Sequence, residues 1–196
     1  MDEAPNSTNA LTLAVIVFMT ELRYIPVDKS NWTDLEKLFE SKGGPHNCWC
    51  MVWRNMNEGT DRANKADKKE SLKNYVANQN PVGLLCYDNS EAIAWCSIAP
   101  RESYRELSGD SSLTNVWSLV CFFIKRAYRQ KGITEELIKQ AINYAKDNGA
   151  KYVEAYPVDP KSPSYRFMGF KPIFDKLGFD FKHKAGQRRY VMTVTI

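Results

Sequence analysis

Histidine is nearly absent from this chain: there are two, His46 and His183, and neither stands in a Ser-His-Asp arrangement. Cysteine is present but not in metal-binding order. His46, Cys48 and Cys50 fall in one short stretch, His46 to Trp53, whereas a closed zinc site takes four ligands, usually as separated pairs, and no second cluster follows. Metal binding is therefore not expected. The count of five cysteines is odd, and Cys86, Cys96 and Cys121 sit inside apolar, strand-like runs where a small hydrophobe serves, so the chain reads as one from a reducing cytoplasm. The apolar run Ala10 to Met19 is about half the length of a membrane-spanning helix, and no basic segment leads into it as in a secretory signal. A membrane partner is not expected. An excess of one charge is also missing: 27 Lys+Arg against 23 Asp+Glu leave a net +4, spread along the chain, which argues against nucleic acid. There is no internal repeat and no low-complexity tract.

With 196 residues, 43% of them hydrophobic, the chain is sized for one domain with a substantial core. Residues 1–18 read as an extension outside the core fold, and 19–196 as the single domain. Leu22 to Val27 predicts a strand, and Ser30 to Phe39 a capped helix with Trp32, Leu35, Leu38 and Phe39 on its inner face. Asn57 to Ala77 is charged until Leu72, Tyr75 and Val76, which predicts an exposed loop leading to a second helix. Val82 to Tyr87 and Ala92 to Ile98 flank Asp88-Asn89-Ser90-Glu91 as a hairpin. Trp117 to Ile124 and Lys151 to Asp159 are the next strands, with a helix between them that Gly149 caps. A short helix near Pro172 to Leu177 and a last hairpin, Phe179 to His183 with Arg188 to Ile196, complete an α/β (α+β) sheet, mostly antiparallel with one parallel pair around the central helix.

The most informative stretch is Val120 to Thr134. A continuous apolar run ends in Phe122-Phe123-Ile124, a basic turn with Arg126, Arg129, Lys131 and the single Gly132 follows, and Ile133, Leu137, Ile138, Ala141, Ile142 and Ala145 then repeat at helical spacing. A loop that opens a helix offers unpaired N–H groups and the positive end of the helix dipole, and this one adds cationic side chains. Such a turn suits a diphosphate. Arg129, Gly132 and Thr134 resemble the Arg/Gln-x-x-Gly-x-Gly/Ala signature of the GNAT superfamily of N-acetyltransferases, with Thr134 departing from the last position. Phe174-Asp175-Lys176-Leu177-Gly178-Phe179 is similar to that family's Tyr-x-x-x-Gly-Phe, with Phe174 in the tyrosine's place.

The resemblance implies a GNAT fold, with a central parallel pair of strands splayed apart, and acetyl-CoA as co-substrate without a metal. It assigns Arg129, Gln130, Lys131, Gly132, Ile133 and Thr134 to the diphosphate, and the backbone of Phe122, Phe123 and Ile124 to the pantetheine arm. The implied reaction is transfer of an acetyl group to an amine by direct attack in a ternary complex. The family's frequent glutamate base falls at Leu119 and its tyrosine acid at Phe174, and neither residue can serve. From strand alternation Glu154 shares a face with Tyr152 and Tyr156 and is the best remaining carboxylate. Tyr156, Tyr165 and Asp159 are weaker candidates. Trp49, Met51 and Trp53 are expected to wall an enclosed acceptor pocket, which favours a small-molecule amine such as a polyamine, an amino acid or an amino sugar over a protein lysine. A homodimer is left open. The alternatives are a catalytically silent acyl-CoA-binding module and, behind it, a redox or metal protein built on Cys48 and Cys50.

Overall fold

The computed structural model of the chain describes residues 21–56 and 59–196, so the segment 1–18 set apart above lies outside the described residues. In chain order the elements are β1 (Arg23–Pro26), α1 (Trp32–Glu40), α2 (Lys65–Ala77), β2 (Leu84–Asp88), β3 (Glu91–Pro100), β4 (Val116–Ile124), α3 (Ile133–Asp147), β5 (Tyr152–Ala155), α4 (Lys171–Lys176), β6 (Asp180–Ala185) and β7 (Arg189–Thr195). The strands form one sheet in the order β1-β2-β3-β4-β5-β7-β6. Neighbours are antiparallel except β4 and β5, which run parallel because the α3 crossover returns the chain to the same end of the sheet. This is the mixed, mostly antiparallel sheet expected above.

Helices cover both faces. Leu137, Ile138, Ala141 and Ala145 of α3 are buried against Ile98, Leu119, Val153 and Met192. On the opposite face Trp32, Leu35, Leu38 and Phe39 of α1, at their expected helical spacing, are buried with Leu85, Trp95 and Trp49. Phe39 lies 5.4 Å from the Trp49 ring and 5.5 Å from Trp95, the latter edge to face.

Two elements differ from their sequence reading. The second helix starts at Lys65, a full two turns before its apolar residues, because the Asn64 side chain accepts from the amides of Ala66 (2.7 Å) and Asp67 (3.4 Å). A side-chain cap, rather than a buried stripe, sets that end. The strand expected over Lys151 to Asp159 stops at Ala155, after which the chain bonds elsewhere: Pro157 O accepts from Tyr190, and Val158 exchanges bonds with Gly169 and Lys171. Tyr156 to Asp159 thus leave β4 without a partner on that side.

Candidate active site

The parallel pairing of β4 with β5 covers only Val116↔Tyr152 to Leu119↔Ala155. Beyond it β4 runs on to Ile124 while bonded to β3 alone, and among the described residues no strand takes the other edge of Val120–Ile124. A bulge lies at the divergence. The β3 partner steps from Cys121 at Ser97 to Leu119 at Ile98, which leaves Val120 as the extra residue. A bulge breaks the two-residue alternation and re-aims side chains. Leu119 points under α3, whereas Val120 and Cys121 both turn to the opposite face. An open row of N–H and C=O groups therefore faces the gap between the diverging strands.

That gap opens into a cleft of about 1020 Å³. Its floor is Phe122, Phe123 and Ile124, and its far wall is the segment Arg166, Phe167, Phe170 and Ile173. The rim is the basic turn, with Arg126, Tyr128, Arg129, Gln130, Gly132, Ile133 and Thr134. Gly132 has φ +77 and Gln130 φ +62, two left-handed residues that fold the turn back so that the first amides of α3 face the cleft. Within the helix, bonding begins only at the Glu136 amide, on Gly132 O at 3.2 Å. Arg129 Nε donates to Ile124 O at 3.0 Å and ties the turn to the end of β4. Lys131, by contrast, lies over the Tyr128 ring at 5.2 Å and does not line the cleft. Glu135 would repel an anion at the helix start, but Lys176 at 2.7 Å and Lys139 at 3.3 Å hold its carboxylate, and the Lys176 bond first of all keeps its pKa below the usual range.

A smaller cavity of about 200 Å³ adjoins this cleft through shared Phe122, Phe123 and Phe167. Cys48, Cys50, Val52, Trp53, Val120 and Cys121 also line it. The expected aromatic wall is thus only partly present. Trp53 is there, but Trp49 and Met51 point the other way and are buried in the core, Trp49 stacked on Trp32 at 6.0 Å. Left-handed φ values at both Trp49 (+46) and Cys50 (+50) turn this loop so that the small thiols, not the large rings, meet the cavity. Cys50 and Cys121 are in contact, Sγ to Sγ 3.2 Å, so the thiol partner of Cys50 lies on β4 as well as in its own loop. The Cys121 bond, helped by burial, pushes the Cys50 thiol well above its ordinary pKa. A thiol so placed is a poor nucleophile. Among the described residues no group of three metal-ligating side chains converges.

The titratable candidates are placed away from the cleft. Glu154 is fully buried; its Oε1 accepts from the Tyr156 hydroxyl at 2.5 Å and its Oε2 from the Asp110 amide at 2.7 Å, with Arg101 at 3.8 Å. Alternation does bring Glu154 and Tyr156 together as expected, but beneath the loop Gly109–Asp110 rather than at the gap. Burial and then the Glu154 charge hold the Tyr156 hydroxyl protonated, and Ser118 Oγ shares it at 3.0 Å. Asp159 is exposed and caps the Lys161 amide at 2.8 Å. Tyr165 is exposed too, left-handed at φ +58, with its ring 6.2 Å from Trp53 and 6.3 Å from Phe167.

The positions that the resemblance assigned to base and acid are likewise closed. Leu119 is fully buried under α3, and the β4 side chain that does line the cavity is its neighbour Val120. Phe174 is fully buried, 6.4 Å from Phe122 and 5.1 Å from Phe179. The ring edge that a hydroxyl would extend, Cε2 and Cζ, packs tightly against Gly169. Phe174→Tyr is therefore expected to lower stability by about 1 to 2 kcal/mol without raising turnover, read from the thermal midpoint and kcat. Arg126, Tyr128, Arg166, Phe167 and Phe170, which the sequence reading left out of its site, complete the cleft. Only the mixture of basic and aromatic residues in Tyr165 to Phe170 hinted at the far wall.

Comparison with known proteins agrees with this geometry. The model of the acetyltransferase (GNAT) family matches residues 46–170. No curated protein sequence matches the chain. Among solved structures, PaiA N-acetyltransferase from Thermoplasma acidophilum in complex with coenzyme A is 16% identical with TM-score 0.56, covering 90% of this chain and 99% of that one. A ribosomal-protein-alanine N-acetyltransferase from Brucella melitensis is 14% identical with TM-score 0.54, covering 89% and 99%. A GNAT family acetyltransferase from the same organism in complex with acetyl-CoA is 9% identical with TM-score 0.51, covering 90% and 89%. At these identities the likeness is one of fold.

Proposed function

Since the chain belongs to the acetyltransferase (GNAT) family, we propose that it transfers the acetyl group of acetyl-CoA to the amine of a small molecule by direct attack in a ternary complex. The observation that carries this reading is the meeting of an unpaired β4 edge with the N-terminus of a 15-residue helix in one cleft of about 1020 Å³. The open α3 amides, with Arg126 and Arg129, match a diphosphate; an added Cβ on Gly132 would meet nothing within 4 Å, so the backbone there stands open to a ligand. The β4 edge matches an extended amide-bearing arm that adds to the sheet as a strand would. Acetyl-CoA supplies the activated acyl group.

The protein's own contribution is to position and desolvate. Phe122, Phe123 and Phe167 join the cleft to the cavity, so an amine entering past Val52 and Trp53 meets the acyl carbon at the divergence of the strands, where β4 amides are oriented to stabilise charge developing on its oxygen. Among the described residues no carboxylate lines either cavity except the paired Glu135. The amine proton therefore leaves through water, and Tyr165, whose ring packs on Trp53 of the cavity wall, is the candidate hydroxyl for return of a proton to the thiolate. A small acceptor fits a 200 Å³ cavity; a protein lysine would need only its stem there. Five free cysteines suit the reducing cytoplasm.

The test joins calorimetric titration with acetyl-CoA to a screen of amines that detects released CoA thiol. Saturable binding and amine-dependent thiol release are expected. Binding without release for any amine would favour the silent acyl-CoA-binding module, and no binding would overturn the proposal.

A further inference from the structure

The cleft and the small cavity beside it differ in chemistry. The cleft is rimmed by Arg126, Arg129 and the open amides of α3. Among the described residues, the cavity of about 200 Å³ is lined by no charged side chain and by no side-chain hydroxyl, amide or imidazole. Val52, Trp53, Val120, Phe122, Phe123 and Phe167 give it aliphatic and aromatic walls, to which Cys48, Cys50 and Cys121 add only thiols. Two of these thiols are held uncharged: the Cys121 bond raises the pKa of Cys50, and the Cys50 bond, then burial, raises that of Cys48. The indole N–H of Trp53 is sealed off and offers nothing to a ligand. Arg189, stacked over the Trp53 ring at 4.5 Å, lines neither the cavity nor the cleft. The mouth continues the same character. Val52 is 44% exposed and Phe167 37%, two large apolar side chains at the edge of an apolar hollow, the mark of a place where an apolar group docks.

Such walls select among amines. The second ammonium of a polyamine or the carboxylate of an amino acid would give up water here with no counter-charge, and the hydroxyls of an amino sugar would give up hydrogen bonds. A hydrocarbon body gains by leaving water. The reacting nitrogen gains as well, because desolvation disfavours the ammonium form and so aids the deprotonation for which the cavity holds no base. An apolar cavity of about 150 Å³ is enough to take benzene. The larger one here admits a ring with a further carbon, which is wider than the unbranched stem of a protein lysine. We propose that the acceptor is a primary amine on a compact hydrocarbon body of about seven carbons, an aralkyl or branched alkyl amine, with its body in the cavity and its nitrogen at the junction with the cleft. The assignment rests on the acetyl-transfer reading above and sets polyamines, free amino acids and amino sugars aside.

The test uses the full chain and pairs of amines that match in shape and closely in basicity: pentylamine with putrescine, and isopentylamine with β-alanine, with benzylamine as the fitted ring. CoA thiol release gives kcat and KM for the wild type, Val52→Glu and Val52→Lys. In the wild type the apolar member of each pair is expected to lead by at least tenfold in kcat/KM, with benzylamine used at least as well as pentylamine. Val52 is exposed, so a charge placed there need not be buried. Val52→Glu should lower the pentylamine-to-putrescine ratio severalfold, and Val52→Lys the isopentylamine-to-β-alanine ratio. A general defect in folding lowers both members of a pair alike and leaves the ratios unmoved. Equal or better use of the charged members by the wild type, ratios unchanged in both variants, or turnover of a lysine-bearing peptide or an amino sugar in place of the apolar amines would each overturn the assignment of acceptor class. So would the absence of turnover with every apolar amine by protein that binds acetyl-CoA. Failure to bind acetyl-CoA, seen by calorimetry before any acceptor is added, would instead overturn the reading beneath it.

Discussion

Gly132→Glu is expected to weaken acetyl-CoA binding at least tenfold, about 1.4 kcal/mol, while leaving the fold intact. Two effects act together at this residue. Its φ of +77 is a conformation that costs an L side chain roughly 1 kcal/mol, and glutamate adds a negative charge where the proposed diphosphate meets the α3 amides. Gly132→Ala separates them. An alanine Cβ would touch nothing within 4 Å, so this variant carries the conformational cost alone and should show a smaller loss of affinity. Calorimetry on all three proteins, with circular dichroism as a check on folding, gives the comparison. Equal affinity in Gly132→Glu and wild type would remove the diphosphate from this turn.

Glu154→Gln is expected to act on stability and not on chemistry. The carboxylate is sealed beneath Gly109–Asp110, so tightly that a Cβ on Gly109 would sit 2.1 Å from its Oε1, and it accepts bonds from the Asp110 amide and the Tyr156 hydroxyl. An amide in its place sets an NH2 donor against one of two donors and removes the charge that faces Arg101. The loss should be about 2 to 4 kcal/mol, and roughly 5 to 15 °C in thermal midpoint for a chain of this size. Measured well below that midpoint, kcat should stay within about threefold of wild type. A general base would give the opposite pattern, a loss on the order of 10² to 10⁴ in rate with the midpoint kept. Thermal denaturation beside kinetics with one good acceptor therefore decides between the roles.

Glu154 also shows where sequence reading reaches its limit. Alternation along β5 correctly set Glu154 and Tyr156 on one face, because that relation depends only on backbone periodicity. Which loop covers that face is a matter of residues 109 and 110 folding back from another part of the chain. The neighbourhood of Leu119 shows the same limit: the bulge at Val120 shifts the alternation of β4 by one residue, and nothing in the run Val116 to Ile124 marks it.

The sequence by itself determined the elements whose signals are local. The hairpin at Asp88 to Glu91, the inner face of α1, the glycine turn before α3 and the family resemblance in Arg129, Gly132 and Thr134 all rest on residues within a few positions of one another, where φ preferences, capping and helical spacing act directly. Tertiary structure alone decided the rest. It ended β5 at Ala155 by offering Pro157 and Val158 better partners in β7 and the Gly169–Lys171 segment, and so opened the β4 edge. It turned Trp49 and Met51 into the core, brought Cys50 to Cys121 and folded Arg166 to Phe170 over the cleft. It also set Arg189 over Trp53, 136 positions apart in the chain. Contacts at such separations are chosen by competition among all the surfaces that need burial, and no local pattern encodes the winner.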